Sequence, residues 1–138
     1  MATLSRGLLD TSVVIARTEA EAGLDMEPLL PHEVAISVAT LAELHYGVLV
    51  AADAETRRQR LQRLGEVEAM FDPLPLDAGV GRAFAMMAHA VKTGGGQPRA
   101  RIMDLWIAAT AHAYKLPLYT RNFEDFKLLQ GLIEVRKV

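Results

Sequence analysis

Gly7-Leu8-Leu9-Asp10-Thr11-Ser12-Val13-Val14-Ile15-Ala16-Arg17 is the stretch on which the architecture turns. The apolar run before Asp10 is too short for a helix and reads as a buried strand ending near that acid. Thr11 or Ser12 then caps a helix that begins with the second apolar run. A buried strand that turns straight into a helix through a polar corner is the repeating unit of an α/β protein.

Outward from this corner the pattern recurs. Val34-Ala35-Ile36-Ser37 reads as a second strand, and Ser37 or Thr40 caps a helix running to about Val50. Ala54 to Met70 is a charged amphipathic helix. Leu74-Pro75-Leu76 is a short strand, and Asp77 caps the helix Ala78–Lys92. Gly94-Gly95-Gly96-Gln97-Pro98 breaks the chain. Arg99 to Lys115 is apolar nearly all round, which predicts a buried helix. Pro117-Leu118-Tyr119-Thr120 is a strand, Asn122 caps a short turn through Phe126, and Leu132 to Arg136 is a last strand. Strands separated by helices predict one α/β domain over residues 1–138 with a mostly parallel sheet covered on both faces. Sites in such sheets form at the carboxyl ends of strands, where Asp10 and the Thr120–Asp125 segment both fall.

Bulk composition bounds the function. The 138 residues are 51% hydrophobic and 23% charged, with no cysteine and a net charge of −2. Thiolate metal sites and disulfides are excluded, and a reducing cytoplasm suits the chain. No apolar run approaches membrane-spanning length, and Met1 to Asp10 lacks the apolar segment of a signal peptide. The net charge argues against a general phosphate-gripping surface. Basic residues are nonetheless uneven: Arg57, Arg58, Arg60 and Arg63 cluster, and Lys92, Arg99 and Arg101 flank the glycine run. Each is either a solvated face or a rim that steers phosphates.

Three acids lie in apolar surroundings: Asp10, Glu43 and Asp104. An uncompensated buried carboxylate costs several kcal/mol or shifts its pKa, as a general order of magnitude. Each has a structural explanation. Asp10 could cap a helix, Glu43 could close a Thr40-x-x-Glu capping box, and Asp104 could pair with Arg101 one turn away. The alternative is a shared hard cation: Mg²⁺ or Mn²⁺ takes oxygen donors and bridges to phosphate.

The residues also resemble a known family. Leu8-Leu9-Asp10-Thr11-Ser12, Thr40-Leu41-Ala42-Glu43-Leu44-His45-Tyr46-Gly47, Asp104-Leu105-Trp106-Ile107-Ala108-Ala109-Thr110-Ala111 and Leu118-Tyr119-Thr120-Arg121-Asn122-Phe123-Glu124-Asp125-Phe126 resemble, in order and spacing, the four motifs of PIN domains of the VapC toxin type. The resemblance implies a PIN-like α/β fold with a central sheet of about five strands. It implies a Mg²⁺- or Mn²⁺-dependent endoribonuclease acting on a structured RNA (tRNA or rRNA) and leaving a 5′-phosphate. It further implies a homodimer and a cognate VapB-type antitoxin that assembles with the toxin and blocks the site. Asp10, Glu43 and Asp104 match the family's metal-binding acids. The fourth position falls on Asn122 in some members and on Asp125 in others; Asn122 is neutral, so Asp125 is chosen. Thr11, Thr120 and Asn122 fall where they could hold the acids by hydrogen bonds. Arg17, Arg99, Arg101 and Arg121 are the candidates for gripping RNA phosphates. The four His are expected outside the site, and Trp106 in the core.

Two other readings compete. Asp10-Thr11-Ser12 after a strand also resembles the loop of an aspartyl phosphotransferase or phosphatase, which a phosphoaspartate at Asp10 would reveal. A degenerate PIN module for RNA binding or dimerisation would bind Mn²⁺ poorly. The helix Ala54–Met70 and the stretch Ala83-Phe84-Ala85-Met86-Met87 are candidate partner faces, and an antitoxin could present an Arg to the carboxylates.

Overall fold

The computed structural model describes residues 5–138; the first four residues of the domain expected over 1–138 lie outside them. Four strands form one sheet: β1 (Arg6–Leu9), β2 (Glu33–Ala35), β3 (Leu118–Thr120) and β4 (Val135–Lys137). Their order is β2-β1-β3-β4, and every pairing is parallel. Leu8 pairs with Ala35 on one side and Leu118 on the other, so β1 is central. Six helices surround the sheet: α1 (Thr11–Arg17), α2 (Ala20–Met26), α3 (Val38–Leu49), α4 (Ala54–Met70), α5 (Ala78–Thr93) and α6 (Ile102–Ala113). Short 3-10 turns span Glu27–Leu29, Pro98–Arg101 and Phe123–Leu129.

Successive side chains of a strand point to opposite faces, and β1 shows the consequence. Leu8 enters a core with Val80, Met87, Leu105, Ile107, Ala108 and Leu118, under α5 and α6. Leu9 enters a second core with Val13, Ile36, Leu64, Val67 and Tyr119, under α1, α3 and α4. Both faces of the sheet are therefore dry at its centre, where β1 and β3 are buried without alternation, while the edge strands β2 and β4 keep exposed residues. Among the described residues no helix is long and apolar enough to cross a membrane.

The expected elements are present with several differences. The sheet has four strands, one fewer than expected. At Leu74-Pro75-Leu76 only Leu74 bonds to the sheet region, through a parallel bridge to Ser37, because Pro75 has no N–H to extend a ladder. The last strand is shorter than Leu132–Arg136 and ends at Lys137. Asp10, not Thr11 or Ser12, caps α1, accepting from the Val13 N–H at 3.2 Å. Ser37, not Thr40, caps α3. The helix expected from Arg99 begins at Ile102, since Arg101 (φ −130°, ψ 28°) interrupts helical geometry after the Pro98 turn. Asn122 precedes its turn without a side-chain capping bond. The α2 helix was not expected; it buries only Met26, too little for a periodic signal.

Candidate active site

Asp10 stands at the carboxyl end of the central strand, where its backbone N–H bonds the Tyr119 carbonyl across to β3 at 3.0 Å. Its side chain is only 4% exposed. Oδ1 accepts from Ser12 Oγ at 2.5 Å and from the Val13 N–H; Oδ2 accepts from Thr120 Oγ1 at 2.5 Å. Burial pushes the Asp10 carboxyl above the usual carboxylate range, and these bonds oppose the rise. Both the cap reading and a role for Thr120 are thus realised in one side chain.

Ser12 carries more than its position suggested. It donates to Asp10 and accepts the Arg121 N–H at 3.2 Å, tying the loop after β3 to the start of α1. The visible signal was the Asp-x-Ser spacing, in which a hydroxyl two residues on bends back to a carboxylate. The Asn122 backbone N–H donates to Thr120 Oγ1 at 2.9 Å, so Asn122 supports the site through its main chain.

Glu43 sits in the second turn of α3, half-buried, and accepts from Thr11 Oγ1 at 2.6 Å. Thr11 also lies 3.1 Å from the buried hydroxyl of Thr40. With Ser37 as the cap, the Thr40–Glu43 capping box does not form. Burial raises the Glu43 pKa, Thr11 lowers it, and the charge of Asp10 raises it further. Asp104 lies in the first turn of α6, where the helix dipole favours an anion. Its pKa is nevertheless pushed up to about 6, first by burial, then by the negative charges of Asp125 and Glu43, with a smaller push from Asp10. Four acids from four distant parts of the chain therefore share one electrostatic neighbourhood. Asp125 belongs to the Phe123–Leu129 turn.

One cation answers this cluster among the described residues. Arg101 lies 2.6 Å from Asp125 and 3.6 Å from Asp104, while Asp10 and Glu43 have no ion-pair partner. The Asp104–Arg101 pair anticipated as a structural alternative exists, and Arg101, expected to face RNA, faces the acids. The other candidate arginines divide. Arg17 pairs with Glu27 at 3.4 Å. Arg99 and Arg121 are exposed, with no ion pair among the described residues. His45 pairs with Glu68 and His112 bonds the Leu132 carbonyl, both away from the acids, and Trp106 stacks on Phe84 against the core.

The chemistry of the donor set fits a hard divalent cation: every donor is a carboxylate oxygen, and their mutual repulsion is what such an ion would relieve. The geometry is not pre-set. Among the described residues no three acidic or histidine side chains are already arranged to hold a metal ion. The hydroxyls of Ser12 and Thr120 bond Asp10, and Arg101 bridges Asp104 and Asp125.

The family model described as PIN domain matches residues 7–131. The chain is 46% identical over 134 residues to ribonuclease VapC5 of Mycobacterium tuberculosis (strain ATCC 25618 / H37Rv), covering 96% of this chain and 94% of that protein. It is 36% identical to ribonuclease VapC4 of the same organism over 117 residues, 85% and 86% of the two chains. A chain in the crystal structure of VapBC-5, a member of the VapBC family of toxin–antitoxin systems from Mycobacterium tuberculosis, superposes with a TM-score of 0.81 at 40% identity, covering 97% of this chain and 99% of that one.

Proposed function

Because this chain belongs to the PIN-domain family, among its VapC-type members, we propose that it is a divalent-metal-dependent endoribonuclease and the toxin of a toxin–antitoxin pair. The observation that carries the reading is the gathering of Asp10, Glu43, Asp104 and Asp125: burial first, and then the charges of Asp125, Glu43 and Asp10, push the Asp104 carboxyl up to about 6. A structural fold element has no need to collect four like charges at one strand end; a cation-dependent phosphodiesterase does.

Asp10, Glu43 and Asp104 would hold Mg²⁺ or Mn²⁺, with Asp125 completing the set. Held by these carboxylates, the ion would supply water activation and charge neutralisation at the phosphodiester. The chain's own residues orient and exclude. Ser12 and Thr120 fix both oxygens of Asp10, and Thr11 fixes Glu43, so two of the ligands arrive with their rotamers set. Arg99 and Arg121, both exposed, would meet RNA phosphates; Arg17, held by Glu27, would do so less readily.

The partner reading follows the relatives. The VapBC-5 complex supports a VapB-type antitoxin as partner of this chain. Exposed Leu61 and Met70 on α4, and Met86 on α5, supply the apolar surface that an antitoxin or a second copy would cover in a cytoplasmic homodimer or hetero-oligomer. The test is cleavage of tRNA and rRNA by purified protein with Mg²⁺, with Mn²⁺ and with EDTA. Cleavage with either ion, its loss in EDTA and its loss in Asp10→Asn are expected. Equal cleavage in EDTA, or by Asp104→Asn, would remove the proposal.

A further inference from the structure

We propose that Arg101 is a displaceable latch: it bridges Asp104 and Asp125, is released as a divalent cation enters, and then takes a phosphate of the RNA. The inference rests on the ribonuclease reading above and adds a coupling between cation loading and substrate grip through one side chain.

Among the described residues, Arg101 is the one cation paired with the site acids. Its Nη1 is 2.6 Å from Asp125 and 3.6 Å from Asp104, so one guanidinium bridges two of the four acids. A single positive charge leaves Asp10 and Glu43 unanswered, and neither has an ion-pair partner among the described residues. A dication serves more of the cluster than the guanidinium does, so the two compete for the same carboxylates and the dication has the stronger claim. The competition is reciprocal: whatever weakens the latch strengthens the cation, by the same factor.

Release is physically cheap. The Arg101 side chain is 46% exposed, and an ion pair in water is weakly held. Arg101 is the last residue of the Pro98–Arg101 turn and precedes α6 with non-helical dihedrals. Upstream, Gly95 (φ +88°) occupies a conformation that side chains disfavour, which sets the bend on which this arm is carried. A cavity of about 220 Å³ bordered by Gln97, Ala100, Arg101, Asp104, Asp125 and Leu128 gives the side chain somewhere to move.

The phosphate half follows from the shape of the group. A guanidinium presents parallel donors that match carboxylate and phosphate oxygens alike. Once a dication neutralises Asp104 and Asp125, the anion nearest the released group is the scissile region of the RNA itself. The latch also keeps the cluster from taking RNA unproductively: without a cation, free acids repel the phosphate and Arg101 is already bound.

The experiment compares wild type, Arg101→Gln and Arg6→Gln, the last removing an equal charge from an exposed pair with Glu33. Mn²⁺ affinity is measured calorimetrically without RNA, and affinity for bulk tRNA is measured with Ca²⁺ in place of Mn²⁺. Arg101→Gln should bind Mn²⁺ about tenfold more tightly and tRNA about tenfold more weakly, while Arg6→Gln matches wild type in both. Arg101→Lys should restore part of the tRNA affinity. If wild type binds Mn²⁺ and cleaves RNA but Arg101→Gln binds Mn²⁺ no more tightly, the latch is wrong and the ribonuclease reading stands. Tighter Mn²⁺ with unchanged tRNA affinity overturns the phosphate step. A wild type that neither binds Mn²⁺ nor cleaves RNA removes both readings together.

Discussion

Asp104 sits among Asp125, Glu43 and Asp10 with a pKa of about 6, against an ordinary value of 3.8. The folded protein thus prefers the neutral carboxyl more than the unfolded chain does. Stability from this group is complete below the ordinary value and is lost as pH rises through about 6. Two pKa units at about 1.4 kcal/mol each set an upper bound of about 3 kcal/mol. The metal-free protein should therefore lose urea resistance between pH 4 and pH 7, and Asp104→Asn should lose less. The helix-capping acids Asp53 and Asp77, held low by their backbone bonds, act with the opposite sign, so the informative quantity is variant minus wild type. An Asp104→Asn protein whose stability tracks wild type across this range would show that burial and the neighbouring charges do not raise the Asp104 pKa. Thr120 gives a second expectation. It is fully buried and donates to Asp10, so Thr120→Val should cost about 1–3 kcal/mol and lower cleavage, read by thermal unfolding and by initial rate. At this scale the sequence marked the acids by their apolar neighbours. The Asp-x-Ser spacing permitted the Ser12–Asp10 bond, but the sequence could not mark the tie from Ser12 to the Arg121 N–H, which lies more than a hundred residues on, or the reach of Arg101 to Asp125.

Ser37 joins strand to helix: it caps α3 through the Ala39 N–H and lies 2.9 Å from the hydroxyl of Thr110 on α6. Both α3 and α6 carry site acids, so this contact ties the two helices that deliver Glu43 and Asp104. Ser37→Ala should cost about 1–2 kcal/mol, seen as a lower denaturant midpoint, and loosen Mn²⁺ binding. Gly7 keeps β1 close to β3. A Cβ there would come within 2.4 Å of the Tyr119 ring, so Gly7→Ala should destabilise by about 1–3 kcal/mol. Elements with a long periodic pattern were legible: α4 runs from Ala54 to Met70 as read, and α5 differs by one residue at its end. Elements decided by backbone pairing were not. Leu74-Pro75-Leu76 has the composition of a strand, yet the missing proline N–H leaves a single bridge.

Across the whole molecule, a chain of net charge −2 concentrates carboxylates at the carboxyl end of a parallel sheet. Such a surface repels RNA until a cation is bound, so ion binding should register as folding stability. At a Mn²⁺ concentration about a hundredfold above the dissociation constant, wild type should gain about 2.7 kcal/mol, and the triple variant Asp10→Asn, Glu43→Gln, Asp104→Asn almost nothing. A shift in melting temperature equal in both would place the ion elsewhere. The sequence by itself determined the α/β order, the dry interior and which acids stand in apolar company, because those follow from periodicity and burial along a local stretch. Only the tertiary structure decided that the acids meet, that hydroxyls already hold Asp10 and Glu43, and that Arg101 turns inward to Asp125. Those outcomes depend on strand order and helix packing, which bring residues 10, 43, 104 and 125 together through contacts that no local pattern encodes.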